Sequence, residues 1–383
     1  KLINPKVLIK NNEIDLSKLN LLLSLKSFFN SDFLLKRADI AFMQNDIKDL
    51  TKITSIFLPR IINKQFDKIF EKGNLEGEFI IPFEPDGSMG KDYRFFGKVS
   101  DASINLTKEF SLKNLTTEMN YGQGVENGEF TAIIKKGFLF DLELANSTIK
   151  LTRKKNETKI KSLLRTNGKL KFSQIKIISS LFGLNINAFK DIKGIADLKT
   201  NISFDLSKKF KVKNLLYSIE GDIASLELHT EEKKIIKQYL PQYDPNIIIT
   251  ETNIKFTKST SDQIMELNGL IKISDQFDGF KIKEKYNYSK KSFDVNGTVD
   301  LTNSKVNISK LNYKKDHGKK SELSFDVNFI LNKYYNIQSL KFLTGKTKIY
   351  LSNIKLNKNF ETVDFQTLEI RTFLNEIKNN DFL

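Results

Sequence analysis

The chain has 383 residues, with 62 basic and 46 acidic side chains for a formal charge of +16, and it holds no cysteine, no tryptophan and two histidines. Disulfide scaffolds, cysteine-ligated zinc, iron–sulfur clusters and cysteine nucleophiles are thereby excluded, and His229 and His317 are too few for a His-rich metal site. The six prolines, at 5, 59, 82, 85, 241 and 245, leave residues 86–240 and 246–383 free to form sheet.

The length admits two or three ordinary domains or one long repetitive one. The basic excess is almost all lysine, since arginine occurs only at 37, 60, 94, 153, 165 and 371. Together with heavy Asn, Ile and Phe use and little Ala, this matches AT-rich codon usage. A strong positive charge also steers proteins to nucleic acid or to anionic membranes, but these lysines are scattered evenly, so no nucleic-acid partner is expected.

No apolar run approaches the roughly 18–20 residues of a membrane-spanning helix, and the strongest, Leu19–Leu25, is interrupted by Asn20 and Ser24. The chain opens on Lys without a signal peptide, so it reads as a fragment lacking any membrane anchor of its parent. After N-terminal strands, Ile47, Leu50, Ile53, Ile56 and Phe57 have helical spacing. Pro59 breaks the pattern and Ile61, Ile62, Phe66, Ile69 and Phe70 resume it, so 46–72 is expected as a kinked helix or helix pair ended by Gly73. A second helix is expected over Ser173–Phe182. A third should run from a Thr230 cap to Leu240 before Pro241, and Leu368–Ile377 is either a helix or a frayed strand end.

Elsewhere the period is two. Leu323, Phe325, Val327, Phe329 and Leu331 alternate with mostly polar neighbours, and Phe293, Val295, Val299 and Leu301 do the same around Gly297. Ile202, Phe204 and Leu206, then Val306 and Ile308, then Ile349 and Leu351 repeat the pattern briefly, with turns expected at Asn127–Gly128, Asn167–Gly168 and Asp278–Gly279. At about 10–12 residues per strand plus turn, 76–367 holds about two dozen strands. Without regular helix alternation, a parallel sheet is disfavoured. The segments Phe33–Ile40, Phe110–Thr117, Phe210–Tyr217 and Tyr335–Phe342 share an aromatic residue, an aliphatic one two positions on, and then a polar pair, at unequal separations. That spacing excludes a fixed-period solenoid.

No Walker A sequence, nucleophile elbow, HExxH or EF-hand loop is present, and no catalytic or metal-ligating residue and no cofactor is assigned. Gly122 and Gly124 lack the third glycine and the helix of a phosphate cradle. The basic clusters Arg153–Lys161 and Lys314–Lys320 lack interleaved aromatics and read as solvated. Glu76, Glu78, Glu84 and Asp86 gather round a Pro/Gly turn, and nothing in the sequence indicates the partial burial that paired acid–base work needs. An antiparallel meander with one apolar side must then pack on another sheet, close, or curl into a trough around an apolar ligand.

The opening Asn4–Leu50 (NPKVLIKNNEIDLSKLNLLLSLKSFFNSDFLLKRADIAFMQNDIKDL) resembles the start of the AsmA-like, YhdP-type periplasmic proteins of alphaproteobacteria with AT-rich genomes. Its strand, Ser-Leu-x-Ser-Phe linker, basic strand and NDIKDL helix follow in that order, and Ile235–Phe256 is similar to the family interior. The resemblance implies a non-enzymatic bridge for phospholipid between inner and outer membrane: a long twisted antiparallel sheet curled into a U-shaped apolar groove, with a few short helices. Its partners would be phospholipid acyl chains, and the two membranes through parts outside this segment, for a monomer in the periplasm whose parent is anchored in the inner membrane. On this reading residues 1–75 form the N-terminal strands and kinked helix, and 76–383 the groove, with a helical insertion near 230–241. Phe293, Val295, Val299, Leu301, Leu323, Phe325, Val327, Phe329, Leu331, Ile349 and Leu351 would line it. The alternative is a scaffold β-sandwich or β-helix at a surface, without bound lipid.

Overall fold

The structure, a computed structural model, describes residues 2–3, 5–9, 12–24, 34–54, 70–105, 110–123, 128–153, 157–182, 186–208, 211–331, 333–359, 361–374 and 376–382. The chain is mainly β, dominated by one large antiparallel sheet with few helices. It divides into two compact units, Lys1–Asn167 with Thr200–Leu215, and Gly168–Lys199 with Leu216–Leu383.

The first unit opens with β1 (Leu2–Ile3), β2 (Lys6–Ile9), β3 (Asn12–Leu23), β4 (Leu35–Asp46) and the helix α1 (Ile47–Thr54). There follow β5 (Phe70–Pro82), β6 (Arg94–Asn105), β7 (Ser111–Gln123), β8 (Gly128–Leu139), β9 (Leu142–Arg153) and β10 (Glu157–Leu170). From β3 to β9 each strand pairs antiparallel with the next, as short connections require. The Asp46 carboxylate accepts the Lys48 amide at 2.7 Å and caps α1. Ile47 then enters a core with Val99, Ala102, Leu115, Ile134 and Leu144, while Leu50 packs against Ile14 and Leu16. The expected helix over 46–72 is therefore shown for its first two turns. Residues 55–69 lie outside the described residues, and Phe70 to Lys72 are strand, because Gly73 serves β5 as a bulge rather than a helix stop.

Bulges line up across this unit. Register slips by a residue around Gly73 in β5, Asp101 in β6 and Asn114 in β7, and Asn146 takes the same left-handed backbone in β9. Gly, Asn and Asp tolerate positive φ, and each bulge leaves one residue unpaired and bends its strand. The core sits where they align: Ala102 is fully buried and Leu115, its cross-strand partner, is nearly so.

The helix α2 (Phe172–Phe182) matches the sequence expectation, and β11 (Phe189–Ser207) and β12 (Val212–Thr230) contribute residues to both units. The second unit continues with α3 (Lys234–Tyr239), β13 (Asn246–Lys258), β14 (Asp262–Lys272), β15 (Phe277–Asn287) and β16 (Ser292–Asp300). A small hairpin, β17 (Val306–Ile308) and β18 (Tyr313–Lys315), precedes β19 (Ser321–Ile330), β20 (Tyr334–Thr344), β21 (Thr347–Asn357), β22 (Thr362–Asp364), β23 (Thr367–Leu374) and β24 (Ile377–Phe382). The ladder runs antiparallel from β12 through β16 to β19, β20, β21, β23 and β24.

Several local expectations are corrected. Asn167–Gly168 and Asp278–Gly279 lie inside β10 and β15 rather than in turns, and Asn127 lies outside the described residues while Gly128 begins β8. Thr230 ends β12 and donates its hydroxyl to the Pro245 carbonyl at 3.2 Å, so it is strand-bound and α3 starts later without a side-chain cap. Of the two forms expected for Leu368–Ile377, the strand is the one found over Leu368–Leu374. The hairpin β17–β18, with Leu240 just past α3, closes a core of Leu301, Val306, Tyr313, Phe342 and Ile349. Lys315 locks that hairpin: it is 1% exposed and donates its ammonium to the carbonyls of Leu301, Thr302 (2.9 Å) and Ser304 (2.7 Å). Desolvation holds its pKa below the usual lysine value.

Candidate functional site

Directly opposed residues of an antiparallel pair share a face, so the registers assemble the apolar surface of the second unit row by row. Val299 of β16 meets Phe280 of β15 and Leu323 of β19, and the row continues through Phe342 and Ile349 to Ile370. The next row is Ile254, Leu267, Ile282, Gly297, Phe325, Leu340, Leu351 and Leu368. Beyond it run Ile219, Phe256, Met265, Glu284, Val295, Val327, Ile337 and Ile354, and then Tyr286, Phe293, Phe329, Tyr335 and Leu356. Phe329 stacks between Phe293 (5.0 Å) and Tyr335 (5.5 Å). The alternate positions carry charge: Lys283 pairs with Glu266 at 2.8 Å, Lys285 with Asp262 at 3.3 Å and Lys348 with Glu369 at 2.5 Å. One sheet face is mostly oily and the other carries a lattice of ion pairs open or partly open to solvent, each worth little to stability.

The structure brings together most of the residues picked out from the sequence. Phe293, Val295, Val299, Leu323, Phe325, Val327, Phe329 and Leu351 share the face and are half-buried. Leu301 and Ile349 are buried in the core beneath the β17–β18 hairpin, so that end of the face is filled by protein. Leu331 lies past the end of β19 and is 57% exposed. The partners from β13, β14 and β20 escaped sequence reasoning because register, which no local pattern reveals, decides who stands beside whom.

The first unit repeats the design. Leu19, Ile40, Phe79, Phe95, Tyr121, Phe130 and Leu151 form one row, with Phe42, Met119 and Ile149 in the next. Phe42, Phe79, Tyr93, Phe95 and Tyr121 make a chain of ring contacts at 5.3–6.4 Å. A depression of about 600 Å³ over β5–β8 is lined by Glu76, Glu78, Lys98 and Glu118, whose ion pairs Glu76–Lys98 (3.3 Å) and Glu118–Lys135 (3.0 Å) are exposed. Among the described residues no group of three or more His, Asp or Glu side chains is placed to hold a metal. No helix among them is long and apolar enough to cross a membrane.

The apolar face also carries Lys258, Gln263, Asp278 and Glu284, and of these Glu284 stands deepest among apolar neighbours without a partner. Glu284 stands between Met265 and Val295, with Ile282 and Tyr286 on its own strand, and has no hydrogen-bond or ion-pair partner among the described residues. Burial alone pushes its carboxyl above the ordinary carboxylate value. The unfolded chain ionises this group near pH 4.3 and the folded chain higher, so the fold binds the extra proton between those values and loses stability as pH rises through that window. Glu284→Gln is accordingly expected to melt at a higher temperature than the unaltered protein at about pH 8 and at the same temperature near pH 4. Equal melting temperatures at both pH values would show the carboxyl to be fully solvated.

No protein-family model matches the chain, and no curated protein or solved structure matches it either.

Proposed function

We propose that this protein is a non-enzymatic lipid carrier, whose sheet curls into a U-shaped trough that holds phospholipid acyl chains and conducts them between inner and outer membrane. The observation that carries this reading is the in-register apolar face from β12 to β23, on which Phe293, Val295, Val299, Leu323, Phe325, Val327, Phe329 and Leu351 are half-buried, while Phe256, Phe280, Phe342 and Ile349 are buried. An acyl chain of about 14 methylenes gains roughly 11 kcal/mol on leaving water, at about 0.8 kcal/mol for each methylene. An apolar strip running from strand to strand lets such a chain slide while its head group stays wet. Bulges at Gly73, Asp101 and Asn114 in the first unit, and at Glu251 and in β20 opposite Asp326–Val327 in the second, would supply the bending that a trough needs. The resemblance of Asn4–Leu50 to the start of AsmA-like proteins points the same way and favours the periplasm. Extraction and mass spectrometry of the purified chain should find bound phospholipid. Protein that is lipid-free, and that takes up none from vesicles, would overturn the reading in favour of a scaffold.

A further inference from the structure

We infer that Glu284 makes the apolar face selective for amphipaths that carry a cationic group, such as an alkylammonium, beside their apolar chain. The inference rests on the proposed binding of chains to this face and adds what the face discriminates.

An occupant of the face changes the surroundings of the carboxylate. A chain lying over Met265, Ile282 and Val295 also covers Glu284 and removes its remaining water. A buried carboxylate without a partner is costly, so a neutral occupant must leave it protonated or leave it wet, and an anionic one adds repulsion. An ammonium placed there replaces the lost water with a charge-assisted hydrogen bond.

The surroundings supply no competing cation at contact. The same-face neighbours are Gln263, Met265 and Leu267 on β14 and Phe293, Val295 and Gly297 on β16, none of them charged. The nearest lysine on that face is Lys258 of β13, two strands across and two residues along, about 12 Å between backbones. It already lies over the rings of Tyr217 (5.6 Å) and Tyr288 (5.8 Å). Lys281, Lys283 and Lys285 flank Glu284 in sequence but alternate to the opposite face, where Lys283 and Lys285 are ion-paired. Asp278, the other carboxylate on the face of β15, is 2% exposed and accepts hydrogen bonds from the Ser304 hydroxyl (2.7 Å) and the Asn303 amide (2.9 Å). Glu284 is thus the acid left for a ligand.

The test uses the full chain at about pH 8, with dodecylamine, dodecanol and dodecanoate competing against a neutral fluorescent alkyl probe. The unaltered protein should bind the ammonium about tenfold more tightly than the alcohol, and Glu284→Gln should bring the two within about twofold, with an unchanged circular dichroism spectrum. Comparison with the variant removes the contribution of the overall +16 charge, which favours dodecanoate in both. If dodecanol displaces the probe but the ammonium shows no advantage, or keeps its advantage in Glu284→Gln, the selectivity of Glu284 is refuted while chain binding stands. If none of the three displaces the probe, chain binding itself fails.

Discussion

Aspartate at both Phe325 and Phe329 is expected to abolish the proposed binding of lipid while the sheet remains formed. These residues stand two rows apart on β19, in the centre of the ladder, with Gly297 and Leu340 beside the first and Phe293 and Tyr335 beside the second. Phe325 also lies against the backbone of Gly297, where an added Cβ would be 3.1 Å from its ring, so the ring covers a gap in β16. Two carboxylates here place unpaired charge beneath any chain crossing the face. The desolvation cost, several kcal/mol for each, offsets most of the roughly 11 kcal/mol that the chain gains. Because the replaced side chains are only half-buried, the loss to folding is smaller than for a core phenylalanine. Two companion variants separate the effects. Phe325→Leu with Phe329→Leu keeps the face apolar and should retain lipid. Ser324→Asp adds charge to the opposite face, next to Lys341, and should retain it too. Phospholipid phosphorus per mole of protein is the measurement, with far-UV circular dichroism to verify the sheet. A folded double-aspartate variant with undiminished phospholipid would refute the proposed role of this face.

How far the sequence reaches is visible in the strand β19 itself. Its alternation from Leu323 to Phe329 is local, and the structure keeps it without a break on one face. Period-two patterns survive into structure because each side chain's face depends only on its own position in the pleat. Partnership does not, and so Ile282, Leu267, Ile337 and Leu340 could not be read as neighbours of the named residues. Glu284 was illegible for the same reason: in EKYNYSK it looks like any solvated glutamate until register puts Met265 and Val295 on either side.

The weak sequence echo has a physical meaning that the unequal spacing concealed. In Phe110–Thr117 the apolar parity runs Phe110, Leu112 and then Leu115, Thr117, with Asn114 at the change of phase. In Phe210–Tyr217 it changes at Asn214, and both asparagines have positive φ. In Tyr335–Phe342 the phase changes between Ile337 and Leu340, where the register against β19 slips, and β4 slips likewise between Leu35 and Arg37. A bulge inserts one residue, and the apolar pattern must shift by one to stay on its face. What reads as a half-erased repeat is the signature of a bulged strand entry. The helix α1 shows the converse limit: its apolar spacing carried on beyond the strand start at Phe70, because periodicity carries no signal for a bulge at Gly73.

Gly73→Val is expected to be the most damaging single substitution in the first unit, lowering stability by about 3 kcal/mol or more. Two independent costs meet at this position. With φ at +142°, Gly73 occupies backbone space that a β-branched residue adopts only under strain. Any Cβ there would stand 2.7 Å from the Cβ and 2.8 Å from the Cα of Ala102, and Ala102 is fully buried in the core with Val99 and Leu115. Neither neighbour can yield, since Ala102 belongs to a paired strand whose own bulge abuts the one at Gly73. A double-mutant cycle divides the cost. Ala102→Gly removes one of the two clashing atoms, so Gly73→Ala should be less harmful in that background than alone, while the strain at positive φ persists in both. Urea unfolding of the four proteins measures the coupling. Additive losses would show that Gly73 is needed for its backbone conformation alone, whereas a positive coupling would show that the close approach of β5 to β6 at the bulge is itself a requirement of the fold.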